Sequence, residues 1–179
     1  MSGILVEDEI RRYERQIRIF GAEGQEKLRR MNPNVELEVI SKAIDKDSVD
    51  KLASDFDMIV DAMDNFPTRF LLNKTALKKN ISLFYGAVHG FYGQATTIIP
   101  GKTACLRCIF PKVPPPISFP IIAVTPGIIG CIQATEVIKY ALRMGSSLAN
   151  RLLMWDGLNA KIDEVALERN PRCEDCGRE

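Results

Sequence analysis

Two cysteine pairs carry the strongest chemical signal in this sequence of 179 residues. Cys105 and Cys108 form one C-x-x-C pair, and Cys173 and Cys176 form a second. Two such pairs offer four thiolates, which complete the tetrahedral set of a structural zinc ion and leave no position open for a reaction. Because 64 residues separate the pairs, a shared zinc ion would tie the C-terminal tail to the middle of the chain. The alternative is a set of four unligated thiols.

The fifth cysteine, Cys131, lies in the apolar stretch IIGCIQA and has no partner at metal-binding spacing. We expect it to be a small core residue. A nucleophilic thiol would need an exposed and electropositive setting, which this stretch does not supply.

A second candidate site follows the apolar run DMIV, which is typical of a parallel strand covered on both faces. Asp61 and Asp64 come at the end of this predicted strand, at the edge of the sheet where α/β proteins bind ligands. Either carboxylate could hold Mg²⁺, which takes one or two carboxylates together with phosphate oxygens. Alternatively, Asp64 or Asn65 caps the helix that follows, with Pro67 in its first turn. The two roles are compatible.

A third candidate is basic. Arg11, Arg15 and Arg18 fall on one face of the first predicted helix, where they are either a solvated stripe or an anion-binding group. The single histidine, His89, lies among glycines with no acid or nucleophile beside it in the sequence. We expect it to be a loop residue and assign it no role.

The elements that must position these residues follow from hydrophobic periodicity. The predicted helices cover residues 7–20, 22–30, 46–56, 66–79 and about 126–144, and the predicted strands cover 35–40, 57–62, 81–88, 93–100, 151–157 and 161–169. Strands and helices alternate up to residue 88, which indicates an α/β fold, and the later strands indicate a more antiparallel sheet. For the last helix we expect Thr125 as the N-cap, Pro126 in the first turn and Gly145 at the end.

Composition excludes several classes of protein. The chain has 24 basic and 23 acidic side chains, whereas a protein that binds duplex nucleic acid usually has a basic excess. The N-terminus does not have the pattern of a signal peptide, and prolines and glycines interrupt the most apolar region, 117–134, too often for a membrane span. We therefore expect a cytoplasmic protein, in which reduced thiols favour a metal site over disulfides.

Eight stretches together resemble the MoeB/ThiF/HesA family, the prokaryotic relatives of ubiquitin-activating enzymes. The matching stretches are RYERQI at 12–17, GAEGQEKL at 21–28, NPNV at 32–35, DAMDN at 61–65, GQATTIIPG at 93–101, CLRC at 105–108, TPGIIGCIQATEVIKY at 125–140 and NPRCEDCG at 170–177. They occur in the family's order and cover nearly the whole chain. The resemblance implies one ThiF-type domain over residues 1–179, with a Rossmann-like mixed sheet, helices on both faces, N-terminal helices and a C-terminal part stapled by zinc.

The family adenylates the C-terminal glycine of a ubiquitin-like protein, often a sulfur carrier, by attack of that carboxylate on the α-phosphate of ATP. By resemblance, Asp64 is the aspartate that holds Mg²⁺-ATP, and Asn65 is its neighbour in the ATP site. Arg15 resembles the arginine that reaches ATP in the partner subunit of a homodimer. The two cysteine pairs resemble the family's zinc ligands.

The sequence departs from the family in the crossover at 111–127. Many relatives carry a sulfur-handling cysteine there, and this chain has none. Adenylation needs no such cysteine, but we do not expect a thioester or persulfide step on this chain.

The larger departure lies between Arg30 and Met31. Relatives have a strand, a G-x-G-x-x-G loop, a helix and a second strand at this point, and typical element lengths put the difference at about 60 to 70 residues. The glycine-rich loop normally supplies the phosphate cradle. We therefore interpret the chain as an incomplete adenylyltransferase. The alternative is an inactive subunit or scaffold that binds a ubiquitin-like protein, and a Rossmann-type NAD enzyme fits DAMDN and the cysteine pairs less well.

Overall fold

A five-stranded mixed sheet is the frame of the protein. The computed structural model describes residues 38, 40, 43–114 and 122–177. The strands lie side by side in chain order: β1 Met58–Val60, β2 Ser82–His89, β3 Tyr92–Ile98, β4 Arg151–Asp156 and β5 Lys161–Ala166. β1 and β2 are parallel, and every later neighbour is antiparallel. The predicted α/β fold with a mixed sheet is confirmed.

Four helices accompany these strands in the described part of the chain: α1 Val49–Leu52, α2 Phe66–Lys79, α3 Leu106–Ile109 and α4 Val124–Leu142. The five predicted strands from residue 57 onward are all present, with ends that differ by at most three residues. The helix predicted over 46–56 is a single turn, because its polar sequence offers only Val49 and Ala53 to the core.

The two long helices cover opposite faces of the sheet, as predicted. Side chains alternate along β2, so Leu83 and Tyr85 point to one face and pack in a buried cluster with Phe70 of α2. Phe84 points to the other face, where its ring meets Tyr140 of α4 edge-on at 5.6 Å. Strand β2 is consequently buried from both sides, and the turn after β1 lies beside it.

Asn65 starts α2, which begins and ends where the sequence predicts. Its side chain accepts a hydrogen bond from the Thr68 amide at 2.9 Å, and Pro67 occupies the first turn. Of the two capping residues considered, Asp64 and Asn65, the structure uses Asn65. Asn80 ends the helix in the left-handed conformation, with φ of 57°.

The start of α4 differs from the prediction. The helix begins at Val124, so Thr125 is inside the first turn and is not the N-cap. The Thr125 hydroxyl donates instead to the Gly90 carbonyl at 2.8 Å, which ties the helix to the turn between β2 and β3. The helix ends at Leu142, before Gly145, because Arg143 takes the left-handed conformation.

Cys131 is exposed, so its prediction as a core residue is wrong. The buried positions of α4 are Thr125, Ile129, Gln133 and Glu136, which follow one another at helical spacing toward the sheet. Cys131 comes two residues after Ile129 and therefore lies on the opposite side of the helix. An apolar sequence neighbourhood did not decide which face the thiol occupies.

Several predictions fall outside the described residues. These are the helices over 7–20 and 22–30, most of the strand over 35–40, and Arg11, Arg15 and Arg18. The single domain over 1–179 also stays a prediction. Among the described helices, none combines the length and hydropathy that a membrane crossing requires.

Gly86 is required where β2 passes under α4. A Cβ at this position would lie 2.5 Å from Cδ of Gln133, whose amide is fixed by hydrogen bonds to the Asp61 and Phe84 carbonyls. Gly86→Ala should therefore lower the free energy of unfolding by about 1–3 kcal/mol, measured by urea denaturation.

Gly130→Ala is the matched control, because a Cβ there meets nothing within 4 Å and α4 is a helix in which alanine is favoured. This variant should be as stable as the parent or gain roughly 0.5–1 kcal/mol. Equal losses in the two variants would contradict the close approach of Gly86 and Gln133.

Candidate functional site

The turn that follows β1 separates the two predicted acids. Asp61 is 1% exposed, and its carboxylate Oδ1 accepts a hydrogen bond from the Met63 amide at 2.8 Å. Its backbone amide donates to the Phe84 carbonyl at 2.9 Å, and its carbonyl accepts from Gln133 Nε2 at 2.8 Å. Asp61 is therefore part of the frame of the turn, and its carboxylate faces the protein interior.

Arg69 of α2 holds the same turn from the other face of the sheet. Its Nε and Nη2 both donate to the Met63 carbonyl, and its Nε lies 3.7 Å from Asp61 Oδ2. The guanidinium also lies 5.2 Å from the centre of the Tyr85 ring, a cation–π distance. A buried cation thus fixes both the carboxylate and the carbonyl of the turn.

Burial raises the pKa of Asp61 to about 6, although the positive charge of Arg69 opposes this shift. The cause is the cost of removing a carboxylate from water, and Asp61 Oδ2 has no hydrogen-bond partner among the described residues. Such a carboxyl suits a structural role better than binding a ligand from solvent. Of the two acids, Asp64 is the one placed for a ligand.

Asp64 is exposed and lines a cavity of about 660 Å³. Its Oδ1 accepts a hydrogen bond from Asn65 Nδ2 at 3.0 Å, while Asn65 Oδ1 caps α2. The cap therefore orients the neighbouring carboxylate as well as starting the helix. The cavity opens beside the C-terminal ends of β1 and β2, and β2 is the strand at which the sheet changes from parallel to antiparallel pairing.

The rest of the cavity is mixed in character. Its lining includes His89, Gln94, Trp155 and Asp156, which come from the ends of β2, β3 and β4. His89 is the last residue of β2 and borders this cavity, so its prediction as a loop residue is wrong. Asp64, Asp156 and Asp163 line this cavity together with the Gln94 amide and apolar walls. Such a site can hold a polar group at one end of an extended ligand.

The four paired cysteines lie together, as their spacing predicts. Their sulfur atoms are all within 4.8 Å of one another, with Cys105 Sγ 3.9 Å from Cys108 and 3.6 Å from Cys173, and Cys108 Sγ 3.4 Å from Cys176. A disulfide would need about 2.05 Å. In a tetrahedron with metal–sulfur bonds of about 2.3 Å the sulfur atoms are about 3.8 Å apart, so this geometry fits a single zinc-sized ion.

The surroundings of the cysteines also fit a metal ion. Burial raises the pKa of the Cys105 thiol, so a thiolate there needs a nearby positive charge. The Asn170 amide points at Cys108 Sγ at 3.4 Å, a contact that would favour a thiolate. The four cysteines therefore form a site that could hold a metal, and this site joins the C-terminal tail to the turn before α3.

Three residues near these sites were missed by sequence reasoning. Arg69 and Asn73 are buried polar residues on the inner face of α2, and Asp175 lies between the last two cysteines. The signal available in the sequence was polar side chains at positions 69 and 73, on the same helical stripe as Phe66 and Phe70. Arg15 has no described position, so its distance from Asp64 is not part of this geometry.

Comparison with known proteins matches this architecture to one family. The model of the ThiF family matches residues 24–175. The SAMP-activating enzyme E1 of Haloferax volcanii is 41% identical over 156 residues, which cover 84% of this chain and 57% of that protein. The sulfur carrier protein adenylyltransferase of Thermus thermophilus is 36% identical over 167 residues, which cover 87% of this chain and 62% of that protein.

The solved structures agree on the fold. A crystal structure of MccB from E. coli with succinimide matches with a TM-score of 0.75 at 21% identity, and the match covers 86% of this chain and 49% of that one. This chain thus spans about three fifths of the length of the first two relatives and about half of the MccB chain. The family match, the mixed sheet and the clustered cysteines agree, and the chain belongs to the ThiF family.

Proposed function

We propose that this chain belongs to an ATP-dependent enzyme that adenylates the C-terminal glycine of a ubiquitin-like sulfur-carrier protein in the cytoplasm. The position of Asp64 is the observation that supports this most directly. It is an exposed carboxylate after a parallel strand, beside a helix N-terminus and a large cavity. This is the edge at which α/β proteins bind ligands.

Asp64 would hold Mg²⁺ together with phosphate oxygens of ATP, as the resemblance implies. Magnesium binds through one or two carboxylates and neutralises the charge that develops on the phosphates. The residues of this chain supply the orientation. Asn65 bonds to the Asp64 carboxylate, and Arg69 and Asp61 fix the turn from which Asp64 projects.

The cavity is suited to the tail of a carrier protein. An extended peptide that ends in glycine has little side-chain bulk near its terminus, so it could bring its carboxylate close to Asp64 along a narrow site. Tyr92, Met154 and Trp155 give this cavity apolar walls, and Gln94 gives it an amide. We propose that the carrier's C-terminal segment lies here and that its terminal carboxylate attacks the α-phosphate of ATP, which forms an acyl-adenylate, breaks the bond to the β-phosphate and releases pyrophosphate.

We also propose that two copies of the chain cooperate. Arg15 resembles an arginine that acts on ATP across the interface of a homodimer, so each site would take its arginine from the partner subunit. A guanidinium placed there would stabilise the negative charge that develops on the α-phosphate during transfer of the adenylyl group.

The four-cysteine site is proposed to hold structural zinc. Its four ligands leave no open coordination position, which argues against a catalytic ion. Zinc would connect the turn at 105–108 with the tail at 173–176 and so close a long loop of the chain.

The second candidate function is an inactive subunit that binds a carrier protein without activating it. The observation in its favour is the sequence around Arg30–Met31, which has no G-x-G-x-x-G loop to cradle phosphates. The two functions differ in one measurable step, the exchange of pyrophosphate with ATP.

Removing one zinc ligand should lower thermal stability and metal content together. Cys173→Ser should release zinc and reduce Tm, since structural zinc can supply on the order of 10 kcal/mol in small peptides. Zinc content by atomic emission and Tm by calorimetry measure the two effects. Cys131→Ser is the matched control, because Cys131 is exposed on α4 and outside the cluster, and it should change neither quantity. Metal-free protein of full stability would contradict a structural zinc ion.

The adenylation step is tested by exchange of labelled pyrophosphate into ATP with a ubiquitin-like carrier. We expect no exchange by the 179-residue chain, because it has no glycine-rich loop to bind the phosphates. In other enzymes, loss of one electrostatic group from the active site lowers the rate by roughly 10²- to 10³-fold. A chain with a family glycine-rich segment inserted between Arg30 and Met31 should show exchange. Asp64→Ala in that background should abolish it.

Asp57→Ala is the control for charge, since Asp57 is an exposed acid at the opposite end of β1. It should leave exchange unchanged. Exchange by the short chain would show that other residues build the ATP site, and failure of the restored chain would favour the inactive subunit.

A further inference from the structure

We infer that Asn73 of α2 is a positioning residue of the cysteine centre: it fixes the two C-x-x-C turns relative to each other. The inference rests on the proposed metal in that centre. Asn73 is fully buried, with 0% of its surface exposed. It does not touch the sulfur atoms, and it reaches one residue inside each cysteine pair.

Each end of the Asn73 amide bonds to a different turn. Its Oδ1 accepts a hydrogen bond from the Leu106 amide at 2.9 Å, and Leu106 directly follows Cys105. Its Nδ2 donates to Asp175 Oδ2 at 3.0 Å, and Asp175 directly precedes Cys176. The orientation of the amide is set by these partners, because a backbone N–H can only donate and a carboxylate can only accept.

The position of Asn73 on α2 is otherwise unfavourable. Phe70 and Ala76, which lie three residues before and after it on the buried stripe, are apolar and belong to the main core cluster. A buried amide there costs free energy unless both of its polar atoms are bonded, and a leucine would pack without that cost. The two bonds to the cysteine turns account for a polar residue at this place.

The charges around Asp175 complete the arrangement. The side chain of Asp175 is 1% exposed and lies 3.7 Å from Arg107 Nε and 3.6 Å from Lys74 Nζ. One zinc ion with four thiolates carries a net negative charge, so a carboxylate between two ligands would repel it. Arg107, which comes from the first turn and lies 3.8 Å from the Phe70 ring, together with Lys74 and the Asn73 amide, compensates that charge.

Through these contacts Asn73 resembles the residues in other metal sites that form hydrogen bonds to the segments carrying the ligands. Such residues orient the ligands, and replacing them typically costs about 10- to 100-fold in metal affinity. Asn73 differs from a general packing residue in one respect. Its contribution to zinc affinity should depend on the hydrogen bond to Asp175. The affinity should therefore recover when that bond is rebuilt with donor and acceptor exchanged.

The test compares zinc affinities of variants of the full chain. Apoprotein is titrated with Zn²⁺ against a chromophoric chelator, and with Co²⁺ to follow the visible absorption of a tetrahedral thiolate site. Asn73→Asp places two carboxylates face to face and should weaken zinc binding by about 10- to 100-fold. The double variant Asn73→Asp with Asp175→Asn keeps the net charge and rebuilds the bond with donor and acceptor exchanged. It should recover most of the affinity and the Co²⁺ spectrum.

Thr75→Val is the matched control for loss of a buried polar contact on α2. Thr75 is 3% exposed and donates to Asp50 at 2.9 Å, away from the cysteines. It should lower stability without changing zinc affinity. Asp175→Ala removes the same bond from the tail side and should also weaken zinc binding. It keeps the test informative if Asn73→Asp does not fold.

Three results would overturn the inference. They are wild-type affinity in both Asn73→Asp and Asp175→Ala, an equal loss in Thr75→Val, and no recovery in the exchanged double variant. Failure of the unaltered chain to bind Zn²⁺ or Co²⁺ would overturn the metal centre itself and the role of Asn73 with it. The first three results, by contrast, leave the metal centre intact.

Discussion

The turn that follows β1 is held from both faces of the sheet by side chains of two different helices. Arg69 of α2 bonds the Met63 carbonyl, and Gln133 of α4 bonds the carbonyls of Asp61 and Phe84. The Gln133 contacts require glycine at position 86, because a side chain there would collide with the Gln133 amide. The exposed position of Asp64 depends on this clamp, because a looser turn would let its carboxylate swing away from the cavity.

Helix α2 links the two sites of the protein. Its N-terminus carries the Asn65 cap next to Asp64, and Asn73 lies eight residues later, about 12 Å along the axis. Asn73 bonds to both cysteine turns, so the four-cysteine cluster, the helix and the Asp64 turn are connected by direct hydrogen bonds. Because a helix connects the two sites, a shift of α2 at the cysteines would also displace the turn that carries Asp64.

Family membership explains the frame better than it explains activity. The chain spans 57% and 62% of the length of two relatives with adenylyltransferase or activating-enzyme names, and it keeps the acid, the cap and the cysteine pairs. The segment that cradles phosphates in the family has no counterpart between Arg30 and Met31. Adenylation therefore remains a proposal for this chain, whereas the ThiF fold is observed.

Much of the frame could be predicted because its signals are local. The α2 helix begins at Phe66, directly after the Asn65 cap and with Pro67 in its first turn, and both of its ends were predicted correctly. The strands were found because apolar runs alternate with turns, and the four cysteines were grouped because C-x-x-C spacing matches the geometry of one ion. In each case the residues that define the feature are close in sequence or carry a chemistry with few alternatives.

What the sequence could not decide is which way a side chain faces. Asp61 and Asp64 are three residues apart and equally acidic, yet only the packing of Arg69 and Gln133 turns one inward and leaves the other at the cavity. Cys131 has apolar neighbours in the sequence, yet its side chain is exposed, because helix α4 packs on the sheet through Ile129, Gln133 and Glu136. The sequence by itself determined most of the described elements and the grouping of the four cysteines, which depend on local spacing. Contacts between residues as far apart as Asn73 and Asp175 exist only after the chain has packed, so the tertiary structure alone decided them.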